Sequence, residues 1–307
     1  YKFIRMEKIG LVTITYNSSD VIRDFLDSTL SQTFQNFVIY IIDNNSQDDT
    51  LEILKENTDS RIKLVQNKKN FGVARANNQG IELALKDNCT QVLIINNDVE
   101  FEKQLFDKMI KIQKDNNCSL VVPKMMYFDN PDYIWYAGST FVKKKGFLPI
   151  HKGIKQKDTS QFDGVYPVEY APTCCLLIKK EVFLDIGMMD ERYFVYFDDT
   201  DFSYRVLRDG RHKLFFFSDI KFYHKVGSLT KSVEKEKKGE YRGDFFIKQN
   251  TRNHIYFLKK IGGIYAYLFI LFLFFKNNLR FILNSNFRKN FHTWKLINKS
   301  YFEGLMM

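Results

Sequence analysis

The first 126 residues alternate apolar segments with amphipathic ones, and this alternation limits the folds that the chain can adopt. Five apolar, β-branched runs predict strands: Ile9–Tyr16, Phe37–Ile42, Ile62–Gln66, Gln91–Ile95 and Leu120–Met126. Helical segments lie between them, including Val73–Asp87 and Lys103–Asp115. Strands and helices in this order form a mostly parallel sheet with helices on both faces. We therefore predict a doubly wound α/β domain.

The pattern changes after residue 126. Turn residues, three lysines at 143–145 and scattered aromatics predict hairpins and a loop between Asp129 and Val168. Ser228–Tyr241 is rich in Lys and Glu and predicts a charged, mobile stretch. The remaining segments predict strands at Val168–Ile178 and Lys213–Phe217, and helices at Lys180–Ile186, Asp199–Arg208 and Phe245–Leu258.

The positive charge of the chain is concentrated near its C-terminus. The net charge is +10, and the residues from Lys248 onward hold ten Lys or Arg against one acid, Glu303. That segment therefore has a net charge of +9, which leaves +1 for residues 1–247. Such a distribution does not describe a uniform nucleic-acid-binding surface, and we predict no nucleic-acid partner.

Two features indicate a reducing, cytoplasmic compartment. The four cysteines, at positions 89, 118, 174 and 175, contain no C-x-x-C, so we predict neither a disulfide framework nor a structural zinc site. The charged segment Tyr1–Lys8 is not followed by an apolar region long enough for export, so we expect no signal peptide.

An apolar segment lies within the basic C-terminal tail. Ile264–Phe275 contains twelve apolar residues without a break. A spanning helix needs about 20 apolar residues, so we predict that this segment is too short to cross a bilayer. Leu279–Trp294 mixes aromatic with basic residues, which suits a membrane–water interface. We predict that Ile264–Trp294 docks on an anionic membrane surface; a buried core helix or an oligomer interface remains the alternative.

Polar clusters follow the predicted strands at Thr13–Asn17, Asp43–Ser46 and Asn96–Asp98. In open α/β sheets, ligands bind at these carboxyl ends of strands. Residues 70–72 (Asn-Phe-Gly) open a helix that carries Arg75, and a helix N-terminus favours phosphate. The sequence thus predicts a phosphorylated or nucleotide ligand. The dinucleotide fingerprint G-x-G-x-x-G and the P-loop are both missing.

Six motifs occur in a fixed order along the chain: Val12–Asn17, Ile42–Thr50, Asn70–Gly80, Leu93–Asp98, Gly187–Phe194 and Tyr196–Arg205. Together they resemble family 2 glycosyltransferases of the GT-A fold, particularly the bacterial rhamnosyltransferase-like branch that builds surface polysaccharides. His224 follows a strand after the last motif, as in that family. The resemblance covers roughly residues 9–260, and it implies that the chain is a glycosyltransferase.

The resemblance implies a metal site for the donor diphosphate. Asp98 would bind a divalent cation, Mn²⁺ or Mg²⁺, with His224 as a second ligand that favours Mn²⁺. Asn96 stands where the family has the first acid of an Asp-X-Asp pattern, so the site has one charge fewer. Arg75 would contact the diphosphate or order its loop.

The resemblance also implies where the nucleoside binds. Thr13 and Thr15 would line its pocket, and Asp43 would accept hydrogen bonds from the base. Asn96 can hydrogen-bond a ribose, and Asn97 belongs to the same donor-binding segment.

The catalytic residues implied by the resemblance are two adjacent acids. Asp199, at a helix N-terminus, would be the general base that takes the proton of the acceptor hydroxyl. Asp198 would position acceptor or donor hydroxyls. With Asp98 on the other side of the donor sugar, this arrangement predicts inversion at the anomeric carbon.

Plainer interpretations remain open for single residues. Asp198 can be a helix cap, since acids favour a helix N-terminus. His224 can be a structural histidine, and Arg75 can form a surface ion pair worth ~0–1 kcal/mol. Trp135 either lines the donor-sugar pocket or only packs in a hairpin, and Cys174 reads as core.

From these features we predict three parts of the chain. Residues 1–126 form the nucleotide-sugar-binding half of a GT-A domain, 127–247 its acceptor-binding and catalytic half, and 248–307 a basic, aromatic, helical, membrane-associating tail. Processive synthases of the superfamily carry Gln-X-X-Arg-Trp, whereas Gln249–Asn253 ends in Asn here. We therefore expect one sugar to be added per acceptor.

The predicted reaction moves a sugar from a nucleoside diphosphate, first dTDP-L-rhamnose, to a polyprenyl-diphosphate-linked saccharide in O-antigen or capsule synthesis. UDP-galactofuranose or another UDP-hexose is the alternative donor. A nucleotidyltransferase is a rival enzyme, and an inactive nucleotide-sugar-binding membrane scaffold is a rival from another class. The expected location is the cytoplasmic face of the inner membrane, bound peripherally.

Overall fold

The computed structural model describes residues 7–225, 243–284 and 290–307, so the predicted charged stretch Ser228–Tyr241 lies outside the described residues. Its strands are β1 (Ile9–Thr15), β2 (Phe37–Asp43), β3 (Ile62–Gln66), β4 (Gln91–Ile95), β5 (Val99–Phe101), β6 (Leu120–Pro123), β7 (Met125–Tyr127), β8 (Ile134–Tyr136), β9 (Ser139–Val142), β10 (Leu148–His151), β11 (Val165–Pro167), β12 (Cys175–Lys179), β13 (Leu214–Phe217) and β14 (Phe222–His224).

The helices fall between and after these strands. They are α1 (Ile22–Leu30), α2 (Thr50–Glu56), α3 (Val73–Lys86), α4 (Leu105–Asp115), α5 (Lys180–Ile186), α6 (Asp198–Asp209), α7 (Asp244–Ile261), α8 (Gly263–Leu283) and α9 (Phe291–Met306). Residues 17–20 (Asn-Ser-Ser-Asp) have side chains suited to a helix N-cap, yet α1 begins only at Ile22. The backbone N–H groups of Asn17 and Ser18 instead donate to the hydroxyls of Ser46 and Thr50.

An eight-stranded sheet forms the centre of the molecule, in the order β11-β13-β6-β12-β4-β1-β2-β3. The pairs β4–β1, β1–β2, β2–β3 and β6–β13 are parallel, while β12 and β11 run antiparallel to their neighbours. The strands that the first 126 residues predict are therefore the parallel part of the sheet. The β4 strand is buried along its whole length, as expected for a strand covered on both faces.

A second sheet of four strands, β5-β14-β7-β8, carries His224 at the end of β14. The prediction of one strand over Leu120–Met126 is wrong here. The chain passes from the first sheet to the second at Lys124, whose buried ammonium bonds the carboxylates of Asp158 (2.6 Å) and Asp163 (2.7 Å).

The predicted strand Val168–Ile178 is only half correct. Pairing with β4 and β6 covers Cys175–Lys179, whereas the preceding residues leave the ladder. The backbone N–H of Val168 donates to the Leu214 carbonyl, and the N–H of the next residue, Glu169, donates to the Ser139 carbonyl. Two residues on, Ala171 hydrogen-bonds the Ser203 hydroxyl of α6 at 3.4 Å. This segment therefore runs toward α6 rather than along the sheet.

Helix α7 packs against residues of the predicted catalytic half, 127–247, rather than standing apart from it, and it crosses the predicted boundary at residue 247. Its residues Tyr256 and Phe257 are buried against Tyr193 and Phe197. Lys260 bonds Asp201 of α6 at 2.6 Å. Helix α9 in turn packs on α7, where a Cβ at Gly304 would lie 2.3 Å from the Arg252 carbonyl.

Helix α8 corrects the prediction that the apolar segment is too short to cross a bilayer. The helix continues past Phe275 to Leu283 and has 21 residues, which is about 31 Å. By length and composition it could cross a membrane. One face of α8, with Ala266 and Ile270, packs on α7 and α9. The opposite face is exposed, with Leu268 at 57%, Phe272 at 52% and Leu283 at 78%. Because of this exposed face, α8 is not a buried core helix of this chain.

Candidate functional site

The carboxyl ends of β1 and β2 meet in one hydrogen-bonded cluster around Asp43. Thr15 and Asp43 are direct partners in the parallel ladder, and the Thr15 hydroxyl donates to Asp43 Oδ1 at 2.9 Å. The Ser46 hydroxyl donates to the same oxygen, while the N–H groups of Asn45 and Ser46 donate to Oδ2 at 3.0 Å. The buried Asp43 carboxylate thus shapes the β2 turn with four hydrogen bonds from the chain.

Two predicted donor-binding side chains leave buried oxygens without a hydrogen bond. The amide nitrogen of Asn97 donates to Ile14 O and Ser18 Oγ, both at 2.9 Å, while its Oδ1 has no partner. The Thr13 hydroxyl is also buried and has no partner. Leaving such a group unsatisfied costs about 1–3 kcal/mol, so both are candidates for ligand contacts. Asn96 is half-buried and its N–H bonds Cys174 O.

The structure brings Asp98 and His224 together, although they are far apart in the chain. Asp98 precedes β5, and β5 pairs with β14, which ends at His224. His224 Nε2 lies 3.4 Å from Asp98 Oδ1, and both side chains are buried. Burial alone would lower the pKa of His224, but the neighbouring Cys174 and Asp98 side chains raise it to about 10.

A carboxylate and an imidazole in this arrangement fit a divalent cation. Two adjacent ligands bound at about 2.1 Å lie about 3 Å apart, close to the separation seen here. Within the described ranges, no group of three or more His, Cys, Asp or Glu is placed to hold a metal. A cation bound by Asp98 and His224 would need its other ligands from the substrate or water, as Mg²⁺ often takes them from phosphates.

Arg75 lies at the surface beside the same loop region. Its Nε is 3.9 Å from Glu191 Oε2, and its guanidinium lies 4.3 Å from the Phe71 ring centroid. The structure therefore shows the plainer surface pairing, and a diphosphate contact stays a prediction. The adjacent Gly72 has φ +85°, and a Cβ there would lie 2.4 Å from Phe194 O. The loop at residues 70–72 therefore packs closely against the segment that leads into α6.

The two predicted catalytic acids begin α6, and their surroundings differ. Asp199 Oδ2 accepts from the Tyr170 hydroxyl at 2.7 Å, and Oδ1 accepts from Thr200 N at 2.6 Å. Burial raises the pKa of Asp199, and these hydrogen bonds oppose the rise. Burial and the Asp199 charge raise the pKa of Asp198. The hydrogen bonds favour the ionised form of Asp199, so of the two acids Asp199 is the better placed to carry the negative charge.

The start of α6 is strained and is held from α7. Tyr196 and Phe197 have φ +64° and +70°, a left-handed conformation that costs bulky residues about 1–3 kcal/mol each. The amide nitrogen of buried Asn253 donates to the carbonyls of Val195 and Tyr196, both at 2.9 Å. This is the position at which processive synthases have Trp. In this chain it secures the turn that aims Asp198 and Asp199.

Aromatic contacts join the Asp98–His224 centre to Asp199. The Trp135 ring packs edge-on against His224 (4.5 Å between centroids) and against His151 (5.4 Å). His151 stacks on Tyr170 at 5.6 Å, and Tyr170 bonds Asp199. The side chains of His224, Trp135, His151 and Tyr170 thus form a continuous row of contacts, here called the wall, between the metal candidate and the base candidate. Trp135 lies in the middle of this wall, so its packing extends beyond its own hairpin.

The sequence profile described as Glycosyl transferase family 2 matches residues 11–187, which is more than half of the chain. The chain belongs to glycosyltransferase family 2. The predicted family is thereby confirmed.

Curated relatives of this family 2 glycosyltransferase are named as sugar transferases. It is 26% identical to the low-salt glycan biosynthesis hexosyltransferase Agl10 of Haloferax volcanii, over 67% of this chain and 63% of Agl10. It is 24% identical to the dTDP-rhamnosyl transferase RfbF of Shigella flexneri, over 73% of this chain and 71% of RfbF. The chain thus spans less than two thirds of the archaeal relative.

Solved structures confirm the GT-A fold of the family 2 domain. S. aureus TarS 1–349 superposes with a TM-score of 0.60 at 16% identity, over 97% of this chain and 81% of TarS 1–349. GalNAc-T7 in complex with UDP, GalNAc and Mn²⁺ superposes with a TM-score of 0.59 at 13% identity, over 84% of this chain and 48% of that chain. At these identities the likeness establishes the fold alone.

Several residues of the site were not identified from the sequence of this glycosyltransferase. Tyr170 lies in the segment predicted as strand, and no local signal marks its contact with a residue 29 positions away. Cys174 is buried beside His224, and each of the two side chains shifts the pKa of the other, so Cys174 belongs to the surroundings of the metal candidate as well as to the core. For Asn253, the departure from Gln-X-X-Arg-Trp was the available signal.

Proposed function

We propose that this family 2 glycosyltransferase transfers one sugar from a nucleoside-diphosphate donor to a lipid-linked saccharide, with inversion at the anomeric carbon. The observation that carries the proposal is the wall on which Asp98 and His224 are joined through Trp135, His151 and Tyr170 to Asp199. One end suits a diphosphate with its cation, and the other end suits a hydroxyl that must lose a proton.

In the proposed reaction Asp199 accepts the proton of the acceptor hydroxyl as its oxygen attacks the anomeric carbon. The bond from that carbon to the diphosphate oxygen breaks, and the nucleoside diphosphate leaves with the bonding electrons. In this proposal Asp198 keeps its proton and can donate a hydrogen bond to a sugar oxygen. A divalent cation held by Asp98 and His224 would supply the charge that neutralises the diphosphate.

The nucleoside is proposed to bind at the ends of β1 and β2. The unsatisfied Thr13 hydroxyl and Asn97 Oδ1 favour polar contacts there. Since Asp43 already accepts four hydrogen bonds, its main part in the proposal is to shape the turn that receives the base. Asn96 stays the proposed ribose partner, and Arg75 would have to leave Glu191 to reach a diphosphate.

The donor is proposed as dTDP-L-rhamnose, with a UDP-sugar as the alternative. RfbF, named as a dTDP-rhamnosyl transferase, supports the first. TarS crystallised with UDP and the UDP-Glc-dependent E. coli WfaP, 38% identical over 79 residues, support the second. The WfaP name also supports a diphosphoundecaprenol-linked acceptor, and the Agl10 name supports a place in glycan biosynthesis, which we propose is the synthesis of a bacterial surface polysaccharide.

Thermal unfolding with dTDP, UDP, GDP and CDP, each with and without Mn²⁺, tests the donor site. A nucleotide at 100 times its Kd stabilises the fold by about 2.7 kcal/mol, so the cognate one should raise Tm by several degrees when Mn²⁺ is present. A rise with dTDP alone supports the rhamnose donor, and a rise with UDP alone supports the alternative. If no nucleotide raises Tm, the proposed donor site is wrong.

The exposed face of α8 supports attachment to a membrane, and we propose that the attachment is peripheral and on the cytoplasmic face. The apolar side chains of this face lie opposite the face that packs on α7 and α9, so they are free to contact a bilayer surface. The basic residues of the segment from Lys248 onward add electrostatic attraction to anionic lipids, at about 1 kcal/mol for each residue near the surface.

Replacing Leu268 and Phe272 together by Ser should release the protein from anionic vesicles. Each side chain is about half exposed, and its replacement should weaken the free energy of membrane binding by about 1 kcal/mol. The two changes together should lower the partition coefficient roughly 10- to 100-fold. Vesicle sedimentation measures this. Leu184→Ser, which changes an exposed leucine on α5 outside this face, is the matched control. Equal sedimentation of the double variant and the wild type would contradict membrane docking.

An inactive nucleotide-sugar-binding scaffold is the second candidate, because Asn96 replaces an acid at the metal candidate. A protein that binds nucleotide but releases no nucleoside diphosphate with any lipid-linked acceptor would favour it. The nucleotidyltransferase alternative predicts release of pyrophosphate instead.

A further inference from the structure

We propose that Tyr170 is a positioning residue for the general base, and that its hydroxyl fixes the orientation of the Asp199 carboxylate. The inference rests on the proposed function, because it concerns how the base candidate is held. Tyr170 belongs to the segment before β12, which is far from α6 in sequence, and its hydroxyl donates to the base candidate across that separation.

The two oxygens of Asp199 are held by different elements. Tyr170 donates to Oδ2 at 2.7 Å, and Thr200 N donates to Oδ1 at 2.6 Å. The Thr200 contact lies within α6 and is set by the helix itself. The Tyr170 contact crosses between elements, so it determines how far the carboxylate can rotate toward or away from the wall that carries Trp135. An orientation error of this kind in a base lowers the rate of proton transfer.

Tyr170 is itself fixed in place. It is 5% exposed, the Tyr136 hydroxyl donates to its carbonyl at 2.5 Å, and the His151 ring stacks on its ring. The next residue, Ala171, hydrogen-bonds the Ser203 hydroxyl of α6. A hydroxyl on so constrained a ring can hold its acceptor at one angle, which a mobile surface tyrosine could not do.

The hydrogen bond also affects the charge of the pair. The titratable groups around Asp199 are Asp198 and Asp201 on α6 and Tyr170 across from them, with Tyr136 and His151 packed on Tyr170. Asp201 is neutralised by Arg205 and Lys260. Among these groups, the Tyr170 hydroxyl donates a hydrogen bond to Asp199. A hydrogen bond donated to a carboxylate stabilises its ionised form and therefore lowers the pKa of the acid.

The test is the pH profile of Tyr170→Phe, which removes one oxygen atom. Loss of the hydrogen bond raises the pKa of Asp199, so the base becomes protonated at higher pH. The acid limb of kcat should therefore move up by about 1 pH unit, while the KM for donor stays the same. Tyr166→Phe is the matched control, because the Tyr166 hydroxyl bonds the carbonyls of Ala137 and Phe162. Its profile should match the wild type.

A second variant reverses the direction. Incorporation of 3-fluorotyrosine at position 170 makes the hydroxyl a stronger donor and should move the acid limb to lower pH. A purely structural role for Tyr170 predicts no opposite shifts in the two variants. Unchanged limbs in both would overturn the inference.

A measurement without turnover separates this inference from the proposed function. The ¹³C carboxyl resonance of Asp199, identified by its loss in Asp199→Asn, reports the pKa of Asp199 directly. A higher pKa in Tyr170→Phe than in the wild type supports the inference even if no sugar transfer is found, in which case the proposed function fails instead. Equal values in an active enzyme would overturn the inference alone.

Discussion

Replacing Asp199 by Asn should lower kcat for sugar transfer by about 10²- to 10⁴-fold, the usual contribution of a general base. The amide has nearly the shape of the carboxylate and can still accept from Tyr170 and Thr200, but it cannot take the acceptor proton. Nucleotide binding should stay within about twofold of the wild type, because no donor-site residue is changed. Release of nucleoside diphosphate measures the first quantity, and the nucleotide Kd measures the second.

Two comparisons make this result specific. Asp129→Asn makes the same chemical change at an exposed position and should leave kcat unaltered. Asp198→Asn should cost much less than Asp199→Asn, because an amide N–H can replace the donor of an acid that keeps its proton. If Asp199→Asn transfers sugar at the wild-type rate, or if Asp198→Asn is the inactive variant, the assignment of the base is wrong.

Replacing Asp98 by Asn should abolish the dependence of nucleotide binding on Mn²⁺ and lower kcat at least about 100-fold. The change removes the one carboxylate of the Asp98–His224 pair, and a neutral amide is a much weaker ligand for a hard cation. Binding of Mn²⁺ to the protein with nucleotide, followed by electron paramagnetic resonance, measures the loss without any turnover.

The control for this prediction is Glu100→Gln, two residues further along the chain. Glu100 pairs with Lys225 at 2.6 Å and lies on β5, so its loss removes a nearby charge without touching the pair. It should retain Mn²⁺ binding. Retention of Mn²⁺-dependent nucleotide binding in Asp98→Asn would show that the cation, if any, is held elsewhere.

The sequence predicts the donor half well because its signals are local. The parallel strands begin and end at apolar runs, and polar residues follow them at the sheet edge. Thr15 and Asp43 were therefore both predicted at strand ends, and in the structure they are direct partners. The motif order also places Asp198 and Asp199 at the start of a helix, as observed. The roles of these residues nevertheless depend on partners that only the fold supplies.

The catalytic half is harder to predict because its contacts join distant segments. Nothing local indicates that Tyr170 leaves the strand ladder to reach α6, or that β14 sets His224 beside Asp98. The length of α8 was underestimated for a different reason. Lys276 and Arg280 interrupt the apolar pattern but not the helix, because Asn278 is held by the Trp294 indole and by Asn298.

The clamp of Asn253 on the carbonyls of Val195 and Tyr196 has a practical consequence for protein engineering. The shape of the turn before α6 is imposed from α7, so a shortened version for crystallisation cannot end at residue 247. The left-handed pair at Tyr196 and Phe197 would then relax, and the catalytic helix would lose its starting geometry. A truncation that removes the apolar C-terminal helices should therefore end after Ile261, with polar substitutions on the face of α7 that this exposes, rather than remove the whole tail.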